Sequence, residues 1–102
     1  MVDQKVIKAL KQKNEAAFEY VYDQTKRGVY AIIFSVVKSH QITEDIMQDV
    51  YMKMMTSIDQ YQSKTNFNNW LLTIAKNKAI DYYRRTKKEQ YINDVDYRDE
   101  LI

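Results

Sequence analysis

The sequence of 102 residues contains no cysteine, no proline and one glycine, Gly28. The lack of cysteine excludes disulfides and Cys-ligated zinc sites. Hairpin turns between β-strands favour glycine and proline, so an all-β fold would have to form its turns almost without them. Helices can be joined by polar residues alone. We therefore predict an all-α fold.

Long apolar runs are also absent from the sequence. No segment approaches the roughly 20 apolar residues that cross a membrane. Residues 1–13 lack the hydrophobic core of a secretion signal. We expect a cytoplasmic protein that has no membrane contact.

Catalytic side chains are scarce. The single histidine, His40, falls in a predicted polar break between helices. The acidic residues are not grouped with basic partners in a way that would indicate tuned pKa values. We expect no catalytic residue, no metal site and no cofactor.

The net charge of +2 conceals a strong segregation of charge along the chain. Residues 1–61 carry 8 basic and 8 acidic side chains, residues 62–88 carry 7 and 1, and residues 89–102 carry 1 and 5. The basic segment is typical of an element that neutralises nucleic-acid phosphates. We assign residues 1–88 to one helical domain, and residues 89–102 to an acidic tail that is loosely ordered or begins an inter-domain linker.

Apolar residues recur with the period of an α-helix in four segments. We predict helices over residues 3–11, from residue 15 onward, over 43–60 and over 67–87, with Asn14, Thr43 and Asn66 as N-caps. The apolar stripe of the second helix consists of Phe18, Val21, Tyr22, Val29, Ile32, Ile33 and Val36.

The third predicted helix has two faces of different composition. Its core-facing arc contains Ile46, Met47, Val50, Tyr51, Met54, Met55, Ile58 and Tyr61. The opposite arc contains Asp45, Gln48, Asp49, Met52, Lys53, Thr56 and Asp59. This second arc is either a solvated acidic face with one exposed methionine, or a protein contact with Met52 at its apolar centre. The pattern alone does not separate these two interpretations.

The connector that begins at Tyr61 is rich in amides, hydroxyls and aromatic rings, which suit unpaired bases. The predicted buried arc of the fourth helix contains Phe67, Leu71, Leu72, Ala75, Ala79, Tyr82 and Tyr83. Trp70 lies outside this arc, in a row with Asn77 and Arg84, so it is either a core residue or part of a DNA-facing row. The other basic residues are either solvated or in contact with phosphates: Lys64, Lys76, Lys78, Arg85 and Lys87.

Four short stretches carry a recognisable combination of residues. They are TEDIMQDVYM from Thr43, DQY from Asp59, FNNWLLTIAKN from Phe67 and DYYRR from Asp81. Together they resemble conserved region 2 of bacterial sigma factors, and the extracytoplasmic-function (ECF) group in particular. The likeness covers about residues 16–88, and it is the spaced combination that makes it specific.

The resemblance implies a compact bundle of about four helices that acts in transcription initiation. In such proteins, the positions matched by Asp45, Gln48, Asp49 and Met52 hold the coiled-coil clamp of the RNA polymerase β′ subunit. This match favours the contact interpretation of the acidic face. The resemblance also implies an anti-sigma protein as a partner.

The resemblance further implies recognition and melting of the −10 promoter element. The connector over residues 61–69 matches the loop that captures a flipped-out base of the non-template strand, and the fourth helix matches the one that recognises the element. The implied DNA-binding residues are Tyr61, Lys64, Asn66, Phe67, Asn69, Trp70, Thr73, Lys76, Asn77 and Arg84.

One departure from the family pattern concerns a second helical domain, which reads the −35 element in family members. Nothing in these 102 residues matches it. We expect a fragment that ends inside the inter-domain linker rather than a naturally minimal relative. The alternative function is a helical protein-interaction module that binds an anti-sigma protein or polymerase without reading DNA.

Overall fold

The computed structural model describes residues 1–62 and 65–101, and side chains as far as residue 89. The elements are α1 (Gln4–Lys11), α2 (Glu15–Val37), α3 (His40–Ser57), a short 3₁₀ helix η1 (Ile58–Gln60) and α4 (Phe67–Leu101). Within these ranges every regular element is helical, which confirms the all-α prediction.

Polar side chains begin the helices as the sequence predicts. Asn14 accepts a hydrogen bond from the amide of Ala17 at 3.0 Å, and Asn66 accepts one from the amide of Asn69 at 3.1 Å. Each bond satisfies an amide that has no partner within its helix. Both predicted caps are confirmed.

The predicted start of α3 at Thr43 is wrong. The helix begins three residues earlier, because the side chain of Ser39 accepts a hydrogen bond from the Ile42 amide at 3.3 Å. Thr43 lies buried inside the helix, where its hydroxyl donates to the carbonyl of Ser39 at 2.6 Å. His40, predicted to lie in a loop, is instead the first helical residue, and its ring stacks on Phe34 with 4.9 Å between centroids.

Two lysines make the turns for which glycine would be the usual choice. Lys13 and Lys38 have φ angles of 61° and 58°, and Lys38 is the C-cap of α2. This left-handed conformation costs a residue with a Cβ roughly 1–2 kcal/mol. The chain therefore joins its first three helices without proline or glycine.

The predicted end of α4 near Lys87 is wrong, because the backbone of α4 continues to Leu101. Neither proline nor glycine follows Phe67 to stop the helix. The side chains of the acidic tail beyond Glu89, and Ile102 altogether, lie outside the described residues.

The core forms between the inward faces of the helices. Its fully buried members include Leu10, Val21, Val29, Ile33, Val50, Met54, Ile58, Leu71, Ala75 and Ala79. The predicted core arc of α3 is confirmed, with Met55 half-buried at its edge. The predicted burial of Tyr83 is wrong, since this residue is 43% exposed, and Tyr22 of the α2 apolar stripe is 38% exposed. Tyr83 lies at the edge of the arc, where its ring meets the ammonium group of Lys87 at 5.3 Å.

Lysines at the end of α1 and in the turn after it contact the end of α3 and the connector. The ammonium group of Lys13 donates to the carbonyl of Met55 at 2.7 Å, and that of Lys11 donates to the carbonyl of Tyr61 at 3.3 Å. The last carbonyls of a helix have no partner within it, and a cation there also favours the helix dipole. These two bonds hold the start of the connector against the bundle.

A buried polar contact joins α2 to α3. The hydroxyl of Thr25 donates to the carbonyl of Val21 at 2.7 Å and lies 2.7 Å from the hydroxyl of Tyr51. Since the one hydroxyl proton of Thr25 is engaged, Tyr51 is the donor in the second bond. Burial raises the pKa of Tyr51 above its usual 10.0.

Replacing Tyr51 with phenylalanine should lower the free energy of unfolding by about 0.5–1.5 kcal/mol at neutral pH, because one buried hydrogen bond is lost. A raised folded-state pKa means that the stabilisation by Tyr51 is complete below the unfolded-state pKa and is lost as pH rises through the folded-state value. The stability gap between wild type and Tyr51→Phe should therefore narrow above pH 10.0. Urea denaturation at neutral pH and above pH 10.0 measures this difference in the free energy of unfolding. A difference that widens with pH would contradict the assignment of Tyr51 as the hydrogen-bond donor.

Candidate binding surfaces

The outer face of α3 carries the four residues predicted to bind polymerase. Asp45, Gln48 and Asp49 are exposed, and Met52 is 67% exposed at their centre. The inner face of the same helix is buried, so the backbone behind these side chains is held in place. The structure therefore brings the predicted set together on one open surface.

An apolar groove adjoins this surface between α2 and α3 and has a volume of about 1130 Å³. Its lining residues are Phe18, Tyr22, Lys26, Arg27, Tyr30, Glu44, Met47, Gln48, Tyr51, Met52, Met55 and Thr56. Sequence reasoning missed the α2 side of this groove because it treated Tyr22 only as a member of the apolar stripe. The width of the α2 apolar stripe was the available signal, since a stripe that wide extends beyond what one helix neighbour covers.

The floor of the α2–α3 groove is a cluster of three aromatic rings. The Tyr22 and Tyr51 rings meet edge to face with centroids 5.0 Å apart, and Phe18 lies 6.1 Å from Tyr51. Aromatic pairs in this arrangement contribute about 0.5–1.5 kcal/mol beyond the area that they bury. A firm aromatic floor beside flexible methionine side chains suits an apolar partner side chain.

A second aromatic cluster lies where the connector meets α4. Tyr61, Phe67 and Trp70 have ring centroids 5.1–5.6 Å apart. Tyr61 and Phe67 are each only 5% exposed, and the Tyr61 hydroxyl donates to the carbonyl of Thr65. In this conformation neither buried ring offers a face to a base. Direct DNA contact by these two residues stays a prediction.

Trp70 occupies an intermediate position between the two predicted alternatives. Its ring is half-buried and packs on the core through Tyr61 and Phe67, while the rest of the ring is open to solvent. A tryptophan held in this way keeps a surface for stacking and loses little side-chain freedom on binding. The buried rings of Tyr61 and Phe67 thus hold the Trp70 ring in position.

The remaining predicted DNA-binding side chains form an open polar face along the first part of α4. Asn66, Asn69, Thr73, Lys76, Asn77 and Arg84 are all exposed. The side-chain oxygen of Asn66 already caps the helix, whereas the Thr73 hydroxyl donates to the carbonyl of Asn69 at 2.8 Å. Lys64 lies outside the described residues.

The part of the chain that the structure covers contains no group of three or more His, Cys, Asp or Glu residues placed to hold a metal ion. None of its helices is long and apolar enough to span a membrane.

A family model of sigma-70 region 2 matches residues 21–89. This match covers α2 from Val21 onward, α3, η1 and the described side chains of α4. The chain therefore belongs to the sigma-70 region 2 family.

Curated relatives give the same result. The chain is 31% identical over 85 residues to the ECF RNA polymerase sigma factor SigX of Bacillus subtilis, a match that covers 81% of this chain and 44% of the relative. It is 29% identical over 93 residues to SigW of the same species, covering 91% of this chain and 50% of the relative. It is 31% identical over 86 residues to SigK of Mycobacterium tuberculosis, covering 83% and 44%.

The chain spans about half the length of the curated relatives it matches. No solved structure gives a significant match to it.

Proposed function

We propose that the chain is the part of an ECF sigma factor that binds core RNA polymerase and recognises and melts the −10 promoter element. One observation carries this proposal. Two exposed surfaces of opposite chemistry, acidic and apolar on α3 and basic and amide-rich on α4, lie on a single buried core. Membership of the sigma-70 region 2 family also supports both roles, polymerase binding and promoter recognition.

The α3 surface, together with the α2–α3 groove, is the proposed polymerase contact. Protein interfaces have an apolar centre and a polar rim, and Met52 with its neighbouring carboxylates has this arrangement. Asp45 and Asp49 have no salt-bridge partner among the side chains described, so they remain available to basic groups of the β′ coiled-coil clamp. The same groove would serve an anti-sigma protein, which would then compete with polymerase by covering Met52.

The α4 surface is the proposed contact with the non-template strand of the −10 element. Flipping a base out of a duplex costs a few kcal/mol, which stacking and hydrogen bonds to its edge can offset. Trp70 supplies a supported ring, and the exposed amides of Asn69 and Asn77 supply donors and acceptors. Lys76 and Arg84 supply charge for the backbone phosphates. These interactions occur in the cytoplasm, where core polymerase acts.

Run-off transcription with core polymerase and a pre-melted template tests the proposal directly. We expect the wild-type chain to support transcripts from the pre-melted template, and Asn77→Ala to reduce them. The Lys5→Ala variant serves as control. It removes an exposed side chain of α1, which is distant in sequence from the residues of both surfaces.

A protein-interaction module without DNA readout would give a different result. In that case polymerase would still be retained by the chain, but no DNA would be cross-linked to it in the polymerase complex. Retention of polymerase with no DNA contact would therefore replace the present proposal with the interaction module.

A further inference from the structure

A second concave feature lies between α3 and α4, away from the α2–α3 groove. This α3–α4 cleft is open to solvent and has a volume of about 530 Å³. Its lining residues are Lys53, Ile74, Asn77, Lys78, Ile80, Asp81 and Arg84. Three cations from two different helices thus share one cleft.

Among the side chains that the structure describes, no carboxylate forms a salt bridge with the cations that line the cleft. Among side chains that the structure describes, the salt bridges are Lys26–Asp23 and Arg85–Asp81, at 3.5 Å and 3.3 Å. The only acid in the cleft, Asp81, is therefore paired with Arg85, which does not line it. Lys53, Lys78 and Arg84 have no carboxylate partner within the described range.

The surroundings strengthen the attraction of the cleft for an anion. Lys78 is half-buried and reaches the cleft from the side of α4 that faces the bundle, while Ile74 and Ile80 provide half-buried apolar walls. Charges beside apolar walls interact more strongly with an anion than charges in open water do. Asn77 adds an amide that donates a hydrogen bond to an anionic oxygen.

We propose that the α3–α4 cleft is a phosphate-binding site, in which Lys53 and Lys78 hold a backbone phosphate of the promoter strand that passes along α4. This inference rests on the proposed function, which it deepens by adding two residues from outside the DNA-facing row. Asn77 and Arg84 belong to both the row and the cleft, so a strand lying along the row passes over the opening of the cleft. Lys53 thereby connects the polymerase-binding helix to the DNA.

The salt dependence of DNA binding tests the cleft. Each phosphate contact contributes about 0.7 to the slope of log affinity against log salt for single-stranded DNA. Fluorescence anisotropy with a short labelled single strand, over a series of KCl concentrations, should show a slope shallower by about 0.7 for Lys53→Ala and for Lys78→Met. Lys53→Arg should keep the wild-type slope, and so should the control Lys5→Ala.

The possible outcomes separate this inference from the proposed function. If the wild-type chain binds no DNA, with or without polymerase, the proposed function and the cleft both fail. If it binds DNA and both cleft variants keep the slope of Lys5→Ala, only the cleft is overturned. Methionine at position 78 preserves the apolar stem of the side chain, so the second variant remains informative if the first is poorly folded.

A free phosphate compound has the same chemistry as a backbone phosphate, so the test includes inorganic pyrophosphate at matched ionic strength. We expect pyrophosphate to bind weakly and to compete with the single strand in wild type but not in Lys53→Ala. If Lys53→Ala removes pyrophosphate binding while the DNA slope stays unchanged, the cleft takes a free phosphate group and the backbone assignment is overturned.

Discussion

We expect Met52→Asp to weaken binding of core RNA polymerase by at least about 30-fold, which corresponds to the roughly 2 kcal/mol that defines an energetically dominant interface residue. Met52 is the apolar centre of the α3 surface and also lines the α2–α3 groove. A carboxylate at this position would lose its hydration in the interface. It would gain no cation in return, because the basic groups of the partner would already pair with Asp45 and Asp49. Surface plasmon resonance with immobilised core polymerase measures the loss.

Two variants show whether this loss is specific. Met52→Leu keeps an apolar side chain of similar size and should bind within a few-fold of wild type. Gln41→Asp introduces the same carboxylate at an exposed position of the same helix, in its first turn, where the helix dipole tolerates an acid. Wild-type affinity of Met52→Asp, or an equal loss in Gln41→Asp, would contradict the proposed contact.

The second large effect is expected at Trp70. Removal of an aromatic ring that stacks on a base costs about 1–3 kcal/mol, so Trp70→Ala should bind single-stranded promoter DNA about 5- to 150-fold more weakly. The ring rests on Tyr61 at 5.1 Å, so its loss also loosens the junction between the connector and α4. Fluorescence anisotropy measures the affinity, and thermal denaturation monitored by circular dichroism measures the stability.

Tyr83 provides a matched control for Trp70. It is an exposed aromatic residue on the same helix, and its ring contacts Lys87 rather than the connector cluster. We expect Tyr83→Ala to leave DNA affinity unchanged and Trp70→Phe to recover most of it. Equal weakening by Tyr83→Ala and Trp70→Ala would show that Trp70 has no particular role in stacking.

Composition and helical periodicity were sufficient to predict the fold class and the approximate course of the helices. The core arc of α3 could be predicted because a helix places every third or fourth residue on one face, and its arc from Ile46 to Tyr61 is buried as expected. The residue at which α3 begins could not be predicted from this periodicity. Ser39 and Thr43 are both good caps, and the choice depends on whether the intervening turn packs against α2, as the ring of His40 does on Phe34.

The candidate site was predictable only where its residues lie on one helix. The exposed rows of α3 and α4 follow from helix geometry alone. Lys53 and Lys78 are 25 positions apart in the sequence, and their shared cleft depends on how α3 packs against α4. The burial of Tyr61 and Phe67 likewise depends on contacts with other elements, because an aromatic residue in a polar connector fits a core and a binding site equally well.

Consecutive residues of α3 face different ligands in the proposed assignments, since Met52 lines the α2–α3 groove and Lys53 lines the α3–α4 cleft. An α-helix turns by about 100° and rises about 1.5 Å per residue. The two contacts are therefore separated by one step of a helix whose inner face is anchored in the core. Helix α3 would then connect the two contacts rigidly. When it docks on polymerase, it fixes the position and angle at which the promoter strand is held, because no hinge separates Met52 from Lys53.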